Sequence, residues 1–288
     1  MNTMKLSVII PAQNEEKNIE QTISELSEKL NAEKIPFEII AVDDNSTDRT
    51  ADVIKSIMAK DPAVRLVQRQ LPSGFGRAIR DGIENVSGEV VVICMADLSD
   101  DPKDVVAYYR KIGEGFDCVY GSRFIKGASV KHYPLLKLIV NRIVNKMIQW
   151  LFWCPFNDLT NAFKAYRTDV VRTCGPYRAI HFNITIEMSL SALVRGYSVA
   201  QIPISWQGRT WGSSKLKLRE MGRRYLAILL KVFAERLLIS DDLVAERLAK
   251  HEHDRETSHK VEDRLAETEA PVALLETRLR NEQANNKQ

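Results

Sequence analysis

The chain has 288 residues, 44% of them hydrophobic, and a formal net charge of +3; that is room for one large domain with appendages. No run reaches about 18 uninterrupted apolar residues, which excludes a membrane-spanning helix. Beyond Ser240 there are 8 basic and 12 acidic side chains, so the first 240 residues carry +7, a balance suited to nucleotide phosphates or lipid headgroups; with no basic block or nucleic-acid motif, nucleic acid is not an expected partner.

In chain order, Leu6 to Ile10 reads as a first strand and ends at Pro11-Ala-Gln-Asn-Glu-Glu16. Ile19, Ile23, Leu26 and Leu30 then recur at helical spacing. Phe37 to Val42 is a second strand, closed by the acidic run Asp43-Asp44-Asn45-Ser46-Thr47-Asp48. The next helix should reach about Ala59 with Ala51, Ile54 and Met58 inward. Val64–Val67 is a third strand, and a helix around 77–85 follows the Pro72–Gly76 loop. Val90 to Met95 is short, apolar and rich in β-branched residues, as a buried parallel strand is. It turns abruptly acidic at Asp97, Asp100 and Asp101. Alternation of strands and helices implies an α/β fold with a mostly parallel central sheet flanked by helices.

Ligands of open α/β sheets sit past the carboxyl ends of the strands. Two such ends here carry acidic clusters, which suits a nucleotide-diphosphate site. Asp97 is placed to hold a divalent cation against a substrate phosphate, whereas Asp100 and Asp101 are expected only to solvate the loop and cap the helix starting near Pro102. The first strand is not followed by G-x-G-x-x-G, and no G-x-x-x-x-G-K-[ST] occurs, which speaks against a dehydrogenase and a P-loop NTPase.

Val8-Ile-Ile-Pro11-Ala-Gln-Asn14-Glu15, Val42-Asp43-Asp44-Asn45-Ser46-Thr47-Asp48 and Met95-Ala96-Asp97-Leu98 resemble, in order, the opening, second and metal-binding motifs of glycosyltransferase family 2. Gly121-Ser-Arg123-Phe124, Asp158-Leu-Thr160-Asn-Ala-Phe-Lys-Ala-Tyr166 and Arg209-Thr-Trp-Gly212-Ser-Ser-Lys215-Leu216 are similar to its dolichol-phosphate mannose synthase-like, polyprenyl-phosphate branch. The resemblance implies a GT-A fold over residues 1–214 and an inverting hexosyltransferase of the mannose or glucose type. It implies a nucleotide-diphosphate sugar as donor, a polyprenyl phosphate as acceptor, and Mg²⁺ or Mn²⁺ as cofactor. Pro11, Gln13, Glu15, Asp43, Asp44 and Ser46 would line the nucleotide pocket. Asp97 would hold the metal. Arg209 and Lys215 would face the donor diphosphate. Arg123, Lys137, Asn141 and Glu187 would serve the acceptor. Four positions depart from the pattern: Lys137 and Asn141 stand where the family more often has Arg and Ser, Met95 stands for the first Asp of the metal motif, and Ser99 for a nearby amide. Three alternatives stay open: a hydroxyl acceptor with Glu187 or Asp158 as base, a sugar-nucleotide-binding subunit of weak activity, and a membrane scaffold.

In the second half, Tyr133–Pro155 is apolar but interrupted by Lys137, Arg142 and Lys146, with Trp150, Phe152 and Trp153 near its end. Residues 215–240 join Lys215, Lys217, Arg219, Arg223 and Arg224 to the apolar run Tyr225–Phe233. The first reads as a helix at a membrane surface or against a core, and the second as one at a membrane surface. The second reads equally as one docked on a membrane-protein partner or a second copy of the chain. Residues 241–288 lack aromatic residues and are expected to be a polar, disordered or solvated helical tail. His251, His253 and His259 in it form no metal cage, and His132 and His181 read as structural. Cys94, Cys118, Cys154 and Cys174 form no metal-type pair and suggest reduced core thiols. Lys5 to Pro11 is too short for a signal sequence. The expectation is a cytoplasmic protein bound peripherally to the inner face of the cell membrane.

Overall fold

A computed structural model describes residues 4–208 and 218–239. The chain opens with strand β1 (Leu6–Ala12), helix α1 (Ile19–Ala32), β2 (Phe37–Asp43), α2 (Thr50–Met58), β3 (Val64–Gln68), α3 (Phe75–Glu84), β4 (Val90–Ile93) and α4 (Pro102–Gly113). β5 (Cys118–Ser122), β6 (Ser129–Lys131), α5 (Leu135–Phe152), β7 (Lys164–Arg167), α6 (Thr168–Thr173), α7 (Ile184–Val194), β8 (Val199–Pro203), β9 (Ser205–Gln207) and α8 (Leu218–Ile239) follow. Within the unit that runs to Leu237, seven strands form one sheet in the order β3-β2-β1-β4-β7-β5-β8. All neighbours are parallel except β7, which runs antiparallel between β4 and β5. β6 and β9 pair separately.

Strand side chains alternate between two cores, as the two-residue period of a strand requires. Ile9, Ile40, Val42, Val91 and Ile93 face the core shared with α3, α5, α7 and α8. Leu6, Val8, Ile10, Ile39, Ala41, Val90 and Val92 face the one built from α1, α2 and α4. The sheet is therefore covered on both faces, which is why its central strands are nearly all apolar.

Met58 departs from expectation. It closes α2 and is exposed, while Ile57 packs against the core in its place. Asp101 caps α4 as expected, its Oδ1 accepting from Lys103 N at 2.9 Å with Pro102 at the first helical position. Among the described residues no helix is long and apolar enough to cross a membrane. The 241–288 tail lies outside the described residues.

Candidate active site

The parallel register brings the ends of β1, β2 and β4 to one edge of the sheet. Because β7 reverses and β5 reverses again, the end of β5 lies on that edge too. A cavity of about 680 Å³ opens there. Pro11, Gln13, Glu15, Asp44, Met95, Asp97, Ser99, Asp100, Arg123 and Lys137 all line it.

The turn after β4 is built by its own carboxylates. Asp97 Oδ1 accepts from Ser99 N at 3.2 Å, and Asp100 Oδ2 accepts from Met95 N at 2.9 Å. Leu98 between them is left-handed, with φ of 61°, a conformation a branched side chain adopts only when its surroundings hold it. Both Asp97 and Asp100 are buried. The expectation that Asp100 merely solvates the loop is corrected: it is a cavity residue, bridged to Trp206. That contact spans more than 100 residues and is invisible to local patterning.

Burial pushes the Asp100 carboxyl up to about 8; the Met95 N–H opposes this and the Asp97 charge adds to it. A carboxyl whose pKa is raised on folding is neutral in both states at low pH. As pH climbs from about 4 to about 8, only the unfolded chain ionises freely, so stability falls. Asp100→Asn should therefore gain stability relative to the parent chain across that window when divalent ions are chelated. Denaturant melts at pH 4.5 and 8 check this; a difference independent of pH would contradict it.

Arg123, just past β5, is fixed by Asp158. Its Nε and Nη2 donate to the two carboxylate oxygens, each at 2.8 Å, and its backbone N–H adds a third bond at 3.0 Å. Burial opposes the guanidinium charge, but Asp158 more than compensates and raises its pKa. The rings of Tyr133 and Trp206 lie 5.3 and 5.7 Å from its carbon centre, within cation–π range. The loop bearing Asp158, Thr160 and Asn161 is in turn anchored by Lys164. This buried ammonium donates to Leu159 O and Ser189 Oγ, both at 2.6 Å. Burial lowers its pKa to about 7.

Other expected site residues are not on the lining. Asp43 Oδ1 instead accepts from Ser46 N, and Ser46 Oγ accepts from Asn14 N, which folds the loop behind the cavity. Asp44 does line it, yet its oxygens also bond Arg69 and, at 2.7 Å, Gly74 N. Asn141 sits beneath Thr160 and donates to its Oγ1 at 2.7 Å. Glu187 is fully buried and turned to backbone amides of Arg178 and Ala179. Arg209 and Lys215 lie outside the described residues. His132 and His181, read as structural from sequence, and Arg224, read as part of a basic helix edge, line the cavity, as do Thr160 and Trp206, to which sequence reasoning gave no site role. Phe75 and Phe182 line it as a stacked pair, 4.3 Å between centroids. No local signal joins residues so far apart in the chain.

Residues 7–178 match the sequence model of glycosyl transferase family 2. The dolichol-phosphate mannosyltransferase of Pyrococcus furiosus is 33% identical over 223 residues, which are 74% of this chain and 60% of that protein. The chain thus spans about three fifths of the length of that relative. The polyprenol monophosphomannose synthase of Mycolicibacterium smegmatis is 26% identical over 220 residues, covering 74% of this chain and 82% of that one. Among solved structures, glucosyl-3-phosphoglycerate synthase from Mycobacterium tuberculosis superposes with a TM-score of 0.62 at 22% identity, covering 80% of each chain. This last likeness is one of fold, and it is the GT-A fold expected from sequence. Together with the sheet topology, the matched length means that the chain belongs to glycosyl transferase family 2, as the motifs implied.

Proposed function

We propose that the chain transfers a hexose, of the mannose or glucose type, from a nucleoside-diphosphate sugar to a polyprenyl phosphate at a membrane surface. The observation that carries this reading is the helix that leaves the cavity. Pro134 and Lys137 line the cavity at the start of α5. From there the helix presents Leu136, Ile139, Ile143, Met147 and Trp150 to solvent, Trp150 at 77% exposure. Leu226, Leu230 and Leu237 of α8 are exposed as well, and α8 touches the end of α5 through Phe152 and Phe233. Exposed apolar rows of this extent on two adjoining helices mark an interaction surface. With basic residues beside them they suit an anionic lipid surface. A lipid acceptor seated there would bring its phosphate to the Lys137 end of the cavity. The inner face of the cell membrane is the location this reading implies.

The names of the two family relatives, a dolichol-phosphate and a polyprenol-phosphate enzyme, support the same acceptor class. A phosphate acceptor is already ionised at neutral pH and needs alignment rather than a base. The hydroxyl-acceptor alternative needs a base, and its candidates are occupied elsewhere. Asp158 is clasped by Arg123, and Glu187 by backbone amides and Lys231.

The residues present fit a divalent ion. Mg²⁺ is commonly held by one or two carboxylates together with substrate phosphates, and Asp97 and Asp100 both line the cavity. Met95, a soft thioether, is no ligand for such an ion. The M. tuberculosis structures contain Mn²⁺ or Mg²⁺ with UDP, in line with this assignment. When bound, the ion supplies Lewis-acid stabilisation of the departing diphosphate. Asp97 would hold it, and Arg209 and Lys215 would add fixed positive charge. Arg123 and Lys137 orient the acceptor phosphate, with Asn141 fixing Thr160 beside them. In-line attack inverts the anomeric centre.

Incubation with a panel of sugar nucleotides and polyprenyl phosphate, with and without Mg²⁺, tests the reading by mass analysis of the lipid. A hexosyl phospholipid formed only with the cation is expected; transfer only to hydroxyl acceptors, or none, would overturn it. For the surface itself, Ile143→Glu with Trp150→Glu should weaken co-sedimentation with phosphatidylglycerol vesicles at least tenfold. Unchanged partitioning would contradict the assignment of this face.

A further inference from the structure

Glu187 on α7 is a fully buried carboxylate that bonds the scaffold: the amides of Arg178 and Ala179 and the ammonium of Lys231. Oε1 accepts from Arg178 N at 2.9 Å and from Lys231 Nζ at 2.6 Å. Oε2 accepts from Ala179 N at 2.7 Å. Lys231 lies on α8, directly after the exposed Leu230. It is the cation in direct contact with Glu187, while Arg80 feels the same carboxylate from further off; a buried carboxylate without such charges would be strongly unfavourable.

The segment those amides belong to, residues 178–182, leads into the cavity wall at His181 and Phe182. Ala179 O accepts from Arg80 Nη1 at 2.6 Å, and Ile180 O accepts from Gly76 N at 3.1 Å. A Cβ at Gly74 or Gly76 would collide with the carbonyls of Ile180 and Ala179, so the segment and the start of α3 fit without slack. His181 and Phe182 line the cavity, and Phe182 stacks on Phe75. Gly74 N in turn donates to Asp44, on the nucleotide side. One contiguous chain of contacts therefore leads from α8, through Lys231 and Glu187, to the wall and on to Asp44.

We propose that Glu187 and Lys231 are positioning residues that join α8 to the cavity wall, so that seating of α8 on lipid sets the placement of His181 and Phe182. The second half of this statement rests on the membrane reading above; the first half does not.

Lys231→Met removes the counter-charge and keeps most of the stem, and Lys231→Arg restores the charge. Amide exchange, read by residue, separates positioning from general stability. In Lys231→Met the amides of 178–182 should exchange at least tenfold faster while those of β1 and β4 keep their parent rates. Affinity for guanosine or uridine diphosphate with Mn²⁺ should fall about tenfold, and Lys231→Arg should recover both to within about threefold. If Lys231→Met does not fold, the double variant Glu187→Gln/Lys231→Met removes both charges together, with the same expectation. Uniformly faster exchange across the domain, or native rates in 178–182, would overturn the positioning role.

Phosphatidylglycerol vesicles supply the lipid arm. They should slow exchange in 178–182 at least threefold in the parent chain and leave Lys231→Met unaffected. Vesicle binding without that slowing, or equal slowing in both, would overturn the coupling. If the parent chain does not bind vesicles, the membrane reading fails and the coupling with it, while the exchange and affinity results still decide the positioning role.

Discussion

Asp97→Ala is expected to fold as the parent chain does and to lose about 10³-fold in kcat for sugar transfer, equivalent to ~4 kcal/mol of transition-state stabilisation. The size follows from the role proposed for the side chain. A nucleoside diphosphate leaves with growing negative charge, and countering that charge in a water-poor cavity is commonly the largest single catalytic contribution. Met95 occupies the place where the family pattern has another carboxylate, so less remains to compensate when Asp97 is removed. The carboxylate's bond to Ser99 N at 3.2 Å contributes on the order of 1 kcal/mol to stability. The measurement is kcat beside the thermal midpoint. A variant with parent-like turnover after chelation of divalent ions would remove Asp97 from the chemistry.

Arg123→Ala is expected to have the largest effect on stability, because it strands a charge. Asp158 is 1% exposed, and its two oxygens are held by the Arg123 fork. Breaking such a pair from one side destabilises by about 3–5 kcal/mol, which lowers the midpoint by roughly 10 °C in a domain of this size. Arg123→Lys should lie between, since a lysine offers a point charge in place of two parallel donors. Asp158→Asn in the Arg123→Ala background should recover part of the loss. The double-mutant cycle then gives the coupling directly, and additive losses would mean that the pair is not the organising contact of this loop. Transfer should suffer with stability, because the same loop carries Thr160 and Asn161 to the cavity.

The first half of the chain was legible because its signals are local. Ile19, Ile23, Leu26 and Leu30 repeat at helical spacing, and all four are buried on α1. The β-branched runs at 6–10, 37–42 and 90–93 became the central strands of the sheet. What was not legible depends on contacts made at a distance. β7 begins with Lys164, and a lysine does not announce a buried strand; it is tolerated because Leu159, Thr185 and Ser189 supply oxygens to its ammonium. Alternation of strands and helices gave no hint that this short strand would run antiparallel between β4 and β5. Asp100 looked like a solvating residue because its neighbours are acidic, whereas later strands bring up Trp206 and Arg123 beside it. For Glu187, the motif resemblance pointed to the acceptor, whereas the fold turned it to Arg178, Ala179 and Lys231. The motif residues at 11–13, 15, 44 and 95–97 line one cavity at the edge of the sheet, and the division between lining and supporting residues was decided by tertiary contacts.

The central claim is that Asp97, at the end of β4, grips a cation together with the nucleoside diphosphate. Electron paramagnetic resonance of Mn²⁺ titrated into the protein, with and without guanosine or uridine diphosphate, tests it most directly. Weak Mn²⁺ binding alone, tight ternary binding with the diphosphate, and loss of the ternary signal in Asp97→Ala are expected. An unchanged ternary spectrum and affinity in Asp97→Ala would contradict it.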